Sequence, residues 1–308
     1  MIRGSTKTSC FAILLTIFLG SITVLPPAPA FAEGPGCGAT ITKNTTLSAH
    51  VGPCLGNGLI IGHSGITLNC AGHTISGGVG SGVGITLNGM TRVTVENCHV
   101  TGFFYGFELT SASDNMLTKN TANGNGYFGF ELYDSTGNSL TTNTADHDGF
   151  GGFAVNDSST NALVKNTADT SPEGFLLFID SGITLVGNTA NGNQYDGFSV
   201  VSSSANALAM NVADNNGGPG FSISYDSFKN KLTLNTGNGN TISGFDVDSF
   251  SSANVLTLNT ANSNTMYGYR DFSTGSGTAG TANSYSLDEC TVNLVGGSTP
   301  TGLCTPQP

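Results

Sequence analysis

Two glutamates recur at one position of a repeated motif, and they are the first residues that could do chemistry. Glu108 and Glu131 each follow a Gly-Phe pair and lie 23 residues apart. If their repeats are stacked, the two carboxyl groups lie about 5 Å apart, as in retaining glycoside hydrolases. The alternative, which the sequence favours, is two exposed acids on a polar sheet face, because no third polar group is placed to help. We therefore treat them as weak catalytic candidates.

Two acidic residues in a later repeat are candidate ligands for calcium, the one cofactor that the sequence suggests. Asp246 occupies the same position as the glutamates and is expected to form a surface ion pair with Arg270. Asp248 follows two residues later, so Asp246 and Asp248 are weak candidates for catalysis or for calcium, which needs six to eight oxygen ligands. The five histidines have no metal-site spacing, so we predict no metal site. Residues 143–148, Asn-Thr-Ala-Asp-His-Asp, are expected to be a solvated turn.

Aromatic residues give a binding signal. They stand two residues before the glycine of successive Gly-Phe pairs, with Pro172 in one repeat: Phe104, Tyr127, Phe150 and Tyr195. Stacked on one another, these rings would form a column able to receive sugar rings. The sequence leaves open the alternative that the rings only shield a turn.

The elements that would position these residues come from a repeat of about 23 residues. Three markers keep one phase over the chain: an asparagine, a Gly-Phe pair and a leucine three residues before the asparagine. The asparagines are Asn97, Asn120, Asn143, Asn166, Asn188, Asn211, Asn235 and Asn259. Pieces such as Phe107-Glu108-Leu109 alternate apolar and polar side chains, as β-strands do. We predict an all-β, right-handed parallel β-helix, a solenoid whose coils share one core through ladders of equivalent residues.

Other repeat architectures fit less well. A leucine-rich repeat has a similar period, but its extended Leu-x-x-Leu-x-Leu pattern is absent, and a β-propeller needs about 40 residues per blade. The predicted organisation is a signal peptide at 1–32, an N-terminal cap at 33–66, β-helix repeats at 67–272, and a Gly/Ser/Thr-rich linker with a C-terminal cap at 273–308. The caps would protect the open ends of the stack.

Several features predict export. The first segment has basic residues, an apolar run and an Ala-Phe-Ala ending, so we expect a secreted protein, extracellular or periplasmic, without a membrane span in the mature chain. Six cysteines follow the signal, and their spacing favours the disulfides Cys37–Cys54, Cys70–Cys98 and Cys290–Cys304. The net charge of −11 argues against nucleic acid as a partner.

The repeats resemble the parallel β-helix repeat family, in particular NosD-like and pectate-lyase-like proteins. The resemblance lies in the Asn-x-Leu-x-x-Asn segments at 115–120 and 138–143 and in the Gly-Phe-x-Leu segments, and it covers most of residues 58–272. It implies polysaccharide or a cell-surface glycan as the partner, bound or modified on the solenoid face. The alternative is a non-catalytic surface, adhesion or structural protein. If the chain is an enzyme, the resemblance implies a lyase, hydrolase or epimerase, but the motifs of those enzymes are absent.

Overall fold

The computed structural model describes residues 34–305, so the predicted signal peptide lies outside the described residues. The chain is a right-handed parallel β-helix, which confirms the predicted fold class. Two parallel sheets run along its axis, a large sheet of 14 strands and a small sheet of 11 strands. Outside the strands, one short turn of 3-10 helix spans Thr278–Gly280.

The strands are short, and each coil contributes to both sheets. The large sheet contains Ala39–Ile41, Val51–Cys54, Leu59–Ile61, Thr74–Asn88, His99–Thr110, Thr121–Ala122, Phe128–Tyr133, Gly151–Asn156, Glu173–Phe178, Phe198–Val201, Phe221–Ser224, Ser243–Val247, Tyr267–Asp271 and Gly296–Thr299. The small sheet contains Thr45–Thr46, Thr67–Asn69, Thr94–Glu96, Met116–Thr118, Ser139–Thr141, Ala162–Val164, Thr184–Val186, Ala207–Ala209, Lys231–Thr233, Val255–Thr257 and Ser284–Ser286. Within residues 33–66, Ala39–Ile41 already pairs in parallel with Leu59–Ile61.

A continuous ladder of stacked rings forms the core beneath the large sheet. Its members are Phe107, Phe130, Phe153, Phe175, Phe198, Phe221, Phe245 and Tyr269. Successive ring centroids lie 4.5 to 4.9 Å apart with interplanar angles of 3° to 7°. These spacings match the distance between neighbouring strands, so the sheet sets the stacking distance of the rings.

The glycine of each Gly-Phe pair is needed for a close approach between turns. A Cβ atom on Gly129 would lie 2.6 Å from the Cβ of Ala145, which faces it from the following coil. On Gly152 it would lie 2.5 Å from the Cβ of Ala168. The Gly-Phe marker and the alanine of the Asn-Thr-Ala segments are therefore two sides of one packing contact.

A ladder of buried asparagines joins the coils at the turn after the small sheet. The Asn143 Nδ2 donates to Leu117 O at 2.9 Å in the preceding coil and to Asn166 Oδ1 at 3.0 Å in the following coil. The Asn143 backbone N–H also donates to Asn166 Oδ1. Each amide therefore ties three coils together.

The prediction that Asn97 begins this ladder is wrong by one residue. Cys98 holds the ladder position, because Val95 pairs with Leu117 and the Cys98 N–H donates to Asn120 Oδ1 at 3.0 Å. The apolar residue three positions before each rung gives the correct register, since Val95 precedes Cys98 by three.

A second ladder was not predicted from the sequence and contains the buried acid Asp148. The Asp148 Oδ1 accepts from the backbone N–H of Asn125 at 2.7 Å and from its Nδ2 at 3.1 Å. Asp148 is 2% exposed, so the expectation of a solvated turn at residues 143–148 is wrong for this residue, as it is for the buried Asn143 and Ala145. Burial raises the pKa of Asp148 to about 8, because the charged form has lost its water.

Three disulfides close the two ends of the solenoid, and they join the pairs that the spacing favoured. They are Cys37–Cys54, Cys70–Cys98 and Cys290–Cys304. The Cys70–Cys98 bond lies at the first rung of the asparagine ladder, where the two Cα atoms are 4.7 Å apart. Within residues 34–305, no helix is both long and apolar enough to cross a bilayer.

Candidate functional site

One outward column of the large sheet carries the acids that the sequence singled out. Strand pairing places its members in register on successive coils: Glu108, Glu131, Ala154, Leu176, Ser199, Ser222, Asp246 and Arg270. The alternation of inward Phe and outward polar residues produces this column, because side chains of a strand point to opposite faces. Polar groups are thus gathered at both ends of the column, with apolar residues between them.

Glu108 and Glu131 form a half-buried pair. Burial raises the pKa of both carboxyls, and the Glu108 charge raises that of Glu131 further. Two polar groups contact Glu131: Asn156 Nδ2 donates to its Oε1 at 3.0 Å, and the Tyr105 hydroxyl donates to its carboxyl group. The sequence-based view that no third polar group is near the pair is therefore wrong, because these residues come from other columns of the same face.

Three of the four predicted aromatic residues stack beside this pair. The rings of Phe104 and Tyr127 lie 5.2 Å apart with an interplanar angle of 3°, and those of Tyr127 and Phe150 lie 4.9 Å apart at 34°. Phe104 is 42% exposed and Phe150 is 40% exposed, so the stack presents ring surface to solvent. Pro172 interrupts the column, which leaves Tyr195 exposed two coils beyond Phe150.

A groove of about 460 Å³ opens on the same face, beginning at Phe150. Its lining is Phe150, Glu173, Leu176, Asp196, Ser199, Val201, Ser222, Ile223, Ser224, Tyr225, Asp246, Asp248 and Phe272. Aromatic rings border it, since Tyr225 is 70% and Phe272 is 54% exposed. Among these lining residues are four acids and no lysine or arginine. The groove is therefore an acidic channel with aromatic edges.

Ser199 joins two of the groove acids. Its Oγ lies 3.1 Å from Glu173 Oε2 and 3.1 Å from Asp196 Oδ2. Burial chiefly, and then the charge of Asp196, raise the pKa of Glu173 to about 8. Burial raises the pKa of Asp196 to about 6, against hydrogen bonds from Ser199 and Ser222 that lower it. The pKa of Glu173 therefore lies above that of Asp196.

Glu173 and Asp196 were not predicted as site residues, although they share a recognisable position. Each stands immediately before the glycine of a Gly-Phe pair, in two successive coils. The predicted acids all lie after the phenylalanine, in a neighbouring column. The repeat phase is the signal that could have revealed this second position.

Asp246 and Asp248, the calcium candidates, are both engaged by protein donors. Asp246 forms an ion pair with Arg270, and the two side chains are 16% and 17% exposed. The Asp248 Oδ2 accepts from the Tyr225 N–H at 2.7 Å, and its Oδ1 accepts from the Ser251 N–H at 2.9 Å. In residues 34–305, no group of three or more His, Cys, Asp or Glu side chains is arranged to hold a metal ion.

Comparison with known sequences decides the family. The profile described as periplasmic copper-binding protein (NosD) matches residues 34–189, and the profile of the right-handed β-helix region matches residues 141–261. The chain belongs to the NosD family. No curated protein sequence matches it. The first profile spans both the glutamate pair and the aromatic stack of this NosD-family chain.

The copper named in the family description does not fit the residues that this NosD-family chain offers. The rings of His50 and His73 lie 5.1 Å apart, edge to face, and His50 Nδ1 accepts the Thr74 N–H at 2.8 Å. All the cysteines in the described part of the chain are in disulfides. A soft copper site needs several thiolate, thioether or imidazole ligands together, and these residues do not supply them.

Solved structures with a similar fold include two epimerases and a pectate lyase. The A-module of mannuronan C-5 epimerase AlgE6 from Azotobacter vinelandii is 14% identical, with a TM-score of 0.57, over 89% of this chain and 90% of that one. Pectate lyase Pel9A is 16% identical, with a TM-score of 0.62, over 90% and 80%. The periplasmic alginate epimerase AlgG is 15% identical, with a TM-score of 0.60, over 78% of this chain and 62% of that one. At these identities the likeness shows the fold alone.

Proposed function

We propose that this protein binds polysaccharide outside the cytoplasm, along the outward face of the large sheet. The proposal rests on one observation: the aromatic stack and the groove meet at Phe150. Phe150 ends the exposed stack that begins at Phe104, and the same ring borders the groove. An elongated surface of aromatic rings and hydrogen-bonding groups suits a chain of sugars, whose rings have apolar faces and polar edges.

The covalent chemistry of the chain supports a location outside the cytoplasm. Disulfides persist in oxidising compartments, so the three in this chain support an extracellular or periplasmic location. The polysaccharide-acting relatives of the same fold support a related role.

The charge of the groove favours a neutral glycan over a uronate. Four carboxyl groups line it, while Arg270 nearby is already paired with Asp246. A polyuronate would bring further negative charge against these acids, whereas neutral sugar hydroxyls can donate hydrogen bonds to them.

Binding can be tested on a glycan array that carries neutral oligosaccharides beside oligogalacturonate and oligomannuronate. We expect the full secreted chain to bind neutral members. Tyr127→Ala and Phe150→Ala should each weaken binding about tenfold, because the lost ring contact is worth roughly 1.5 kcal/mol or more. Leu234→Ala is the matched control, since Leu234 is also half exposed but lies on another turn.

Absence of binding to every glycan on the array would remove this proposal and leave a surface or structural role. Binding that Tyr127→Ala and Phe150→Ala leave unchanged would show that the stack is not the contact surface. Thermal unfolding of the variants, compared with that of the unaltered chain, separates lost contact from lost fold.

A further inference from the structure

We propose that the groove is a hydrolytic site for a neutral glycan, in which Glu173 protonates the leaving oxygen and Asp196 attacks the anomeric carbon. The inference rests on the proposed function, because the glycan must first occupy the groove. It selects one activity and assigns it to two residues that no sequence motif singles out.

The hydroxyl of Ser199 couples the protonation of the two carboxyl groups. Ser199 Oγ is within hydrogen-bond distance of both Glu173 and Asp196, yet a hydroxyl has only one proton to donate. Both contacts are satisfied only if one acid is protonated and donates to Ser199, which then donates to the other. The Ser222 hydroxyl also lowers the pKa of Asp196, which favours Asp196 as the carboxylate and Glu173 as the acid. The higher pKa of Glu173 agrees with this order.

The two carboxyl groups are close enough to act on one glycosidic bond. The oxygens that contact Ser199 each lie 3.1 Å from its Oγ, so these two oxygens are at most about 6 Å apart. This close approach suits a retaining mechanism, in which the second carboxylate attacks the anomeric carbon, and we assign Asp196 that role.

The step balances without any co-reactant except water. First, the Asp196 oxygen forms a bond to the anomeric carbon, the glycosidic C–O bond breaks, and the Glu173 proton passes to the departing oxygen. Next, water attacks the anomeric carbon, its proton returns to Glu173, and the bond to Asp196 breaks. The sugar keeps its anomeric configuration, and both acids return to their starting states.

The surroundings of the acids point to a sugar independently of their charge. The cavity of about 460 Å³ is bordered by three exposed rings, those of Phe150, Tyr225 and Phe272. Phe150 also continues into the stack that leads away along the solenoid axis. The absence of lysine and arginine from the lining removes the basic side chain that β-elimination of a uronate would use.

The test begins with any neutral glycan that binds on the array. We expect the full chain to release new reducing ends from that glycan, with the product anomer first seen by ¹H NMR retaining its configuration. Glu173→Gln and Asp196→Asn should each lower turnover at least 100-fold while binding persists. Glu96→Gln is the matched control, because Glu96 lies on the small sheet, where it accepts from Asn69.

The outcomes distinguish the hydrolytic site from the binding surface. Binding without release of reducing ends overturns the hydrolytic site and leaves the binding proposal intact. An inverted product overturns the assignment of Asp196 as nucleophile. Because a variant can fail for structural reasons, the unaltered chain also carries a test: infrared spectroscopy of ¹³C-labelled protein, with Glu173→Gln as the difference reference, should show Glu173 as a protonated acid at pH 7. An ionised Glu173 would overturn its role.

Discussion

Replacing Asp148 by asparagine should stabilise the protein, and the gain should depend on pH. Asp148 Oδ2 is buried and has no hydrogen-bond partner, whereas at the same ladder position Asn193 Nδ2 donates to Ala168 O at 3.0 Å. An asparagine in place of Asp148 would keep the two bonds that Oδ1 accepts and put an amide donor where the ladder provides a carbonyl. The substitution therefore adds a hydrogen bond to that carbonyl, which aspartate can donate only when it is protonated.

The magnitude follows from the difference between the folded and unfolded pKa values. The pKa of Asp148 is 3.8 in the unfolded chain and about 8 in the folded protein. Between these values the folded state holds a proton that the unfolded state releases, so stability falls as pH rises from about 4 to about 8. Each pH unit costs about 1.4 kcal/mol, which gives roughly 4 kcal/mol at pH 7 as an upper limit. The asparagine side chain of D148N does not titrate and avoids this loss.

Urea unfolding at pH 4, 6 and 8 measures the effect. The difference between D148N and the unaltered chain should be near zero at pH 4 and should grow toward pH 8. Asp180 is the matched control, since it is equally buried but accepts backbone N–H groups on both oxygens, from Ser158 and Phe178. D180N should gain less, because its amide would face one of those donors. A D148N difference that is independent of pH, or a loss of stability at pH 8, would refute the reasoning.

Three further predictions address the packing of the coils and the acid pair. Phe175→Ala should lower the free energy of unfolding by about 3–5 kcal/mol in urea titrations, because the ring is 1% exposed within the stack. Gly129→Ala should destabilise by about 1–3 kcal/mol, since its Cβ would overlap a neighbouring alanine, whereas at Gly126 the nearest atom lies 3.5 Å away and the same change should be nearly neutral. Burial chiefly, and then Glu131, raise the pKa of Tyr105 to about 12, so Glu131→Gln should bring its ultraviolet titration closer to 10.

Almost all of the fold could be predicted from the repeat, because the same residues pack against one another in every coil. The Gly-Phe pair, the leucine and the asparagine are each tied to copies of themselves, so their phase is visible in one sequence. The one register error, Asn97 for Cys98, arose where a disulfide replaces an amide. Such substitutions at the ends of a repeat break the pattern that identifies it.

The candidate site was only partly predictable, since sites depend on contacts between different columns. Phe104, Tyr127 and Phe150 were found because they share one column, and their stacking follows from the coil spacing. Glu173 and Asp196 are recognised as a pair only because the hydroxyl of Ser199, which belongs to another column, contacts both of them. Tyr225 and Phe272 stand at different positions of their repeats, four residues after Phe221 and three residues after Tyr269, so only the folded chain brings them together at the groove.

The two ends of the asparagine ladder determine how far this architecture can extend. Each asparagine of the ladder donates a hydrogen bond from its side-chain amide to the side-chain oxygen of the next residue in the ladder, as Asn259 does to Asp288 Oδ1. Asp288 has no amide hydrogens to pass on, and Cys98 at the other end has no side-chain oxygen to receive any. The amide ladder therefore ends inside the molecule on both sides, because Ala39–Ile41 and Leu59–Ile61 lie beyond Cys98, and Thr305 pairs with Glu289 beyond Asp288. In these outer coils the disulfides Cys37–Cys54 and Cys290–Cys304 supply the cross-links. The number of coils that side-chain amides can join is thus fixed by the two residues that interrupt the exchange of donors and acceptors.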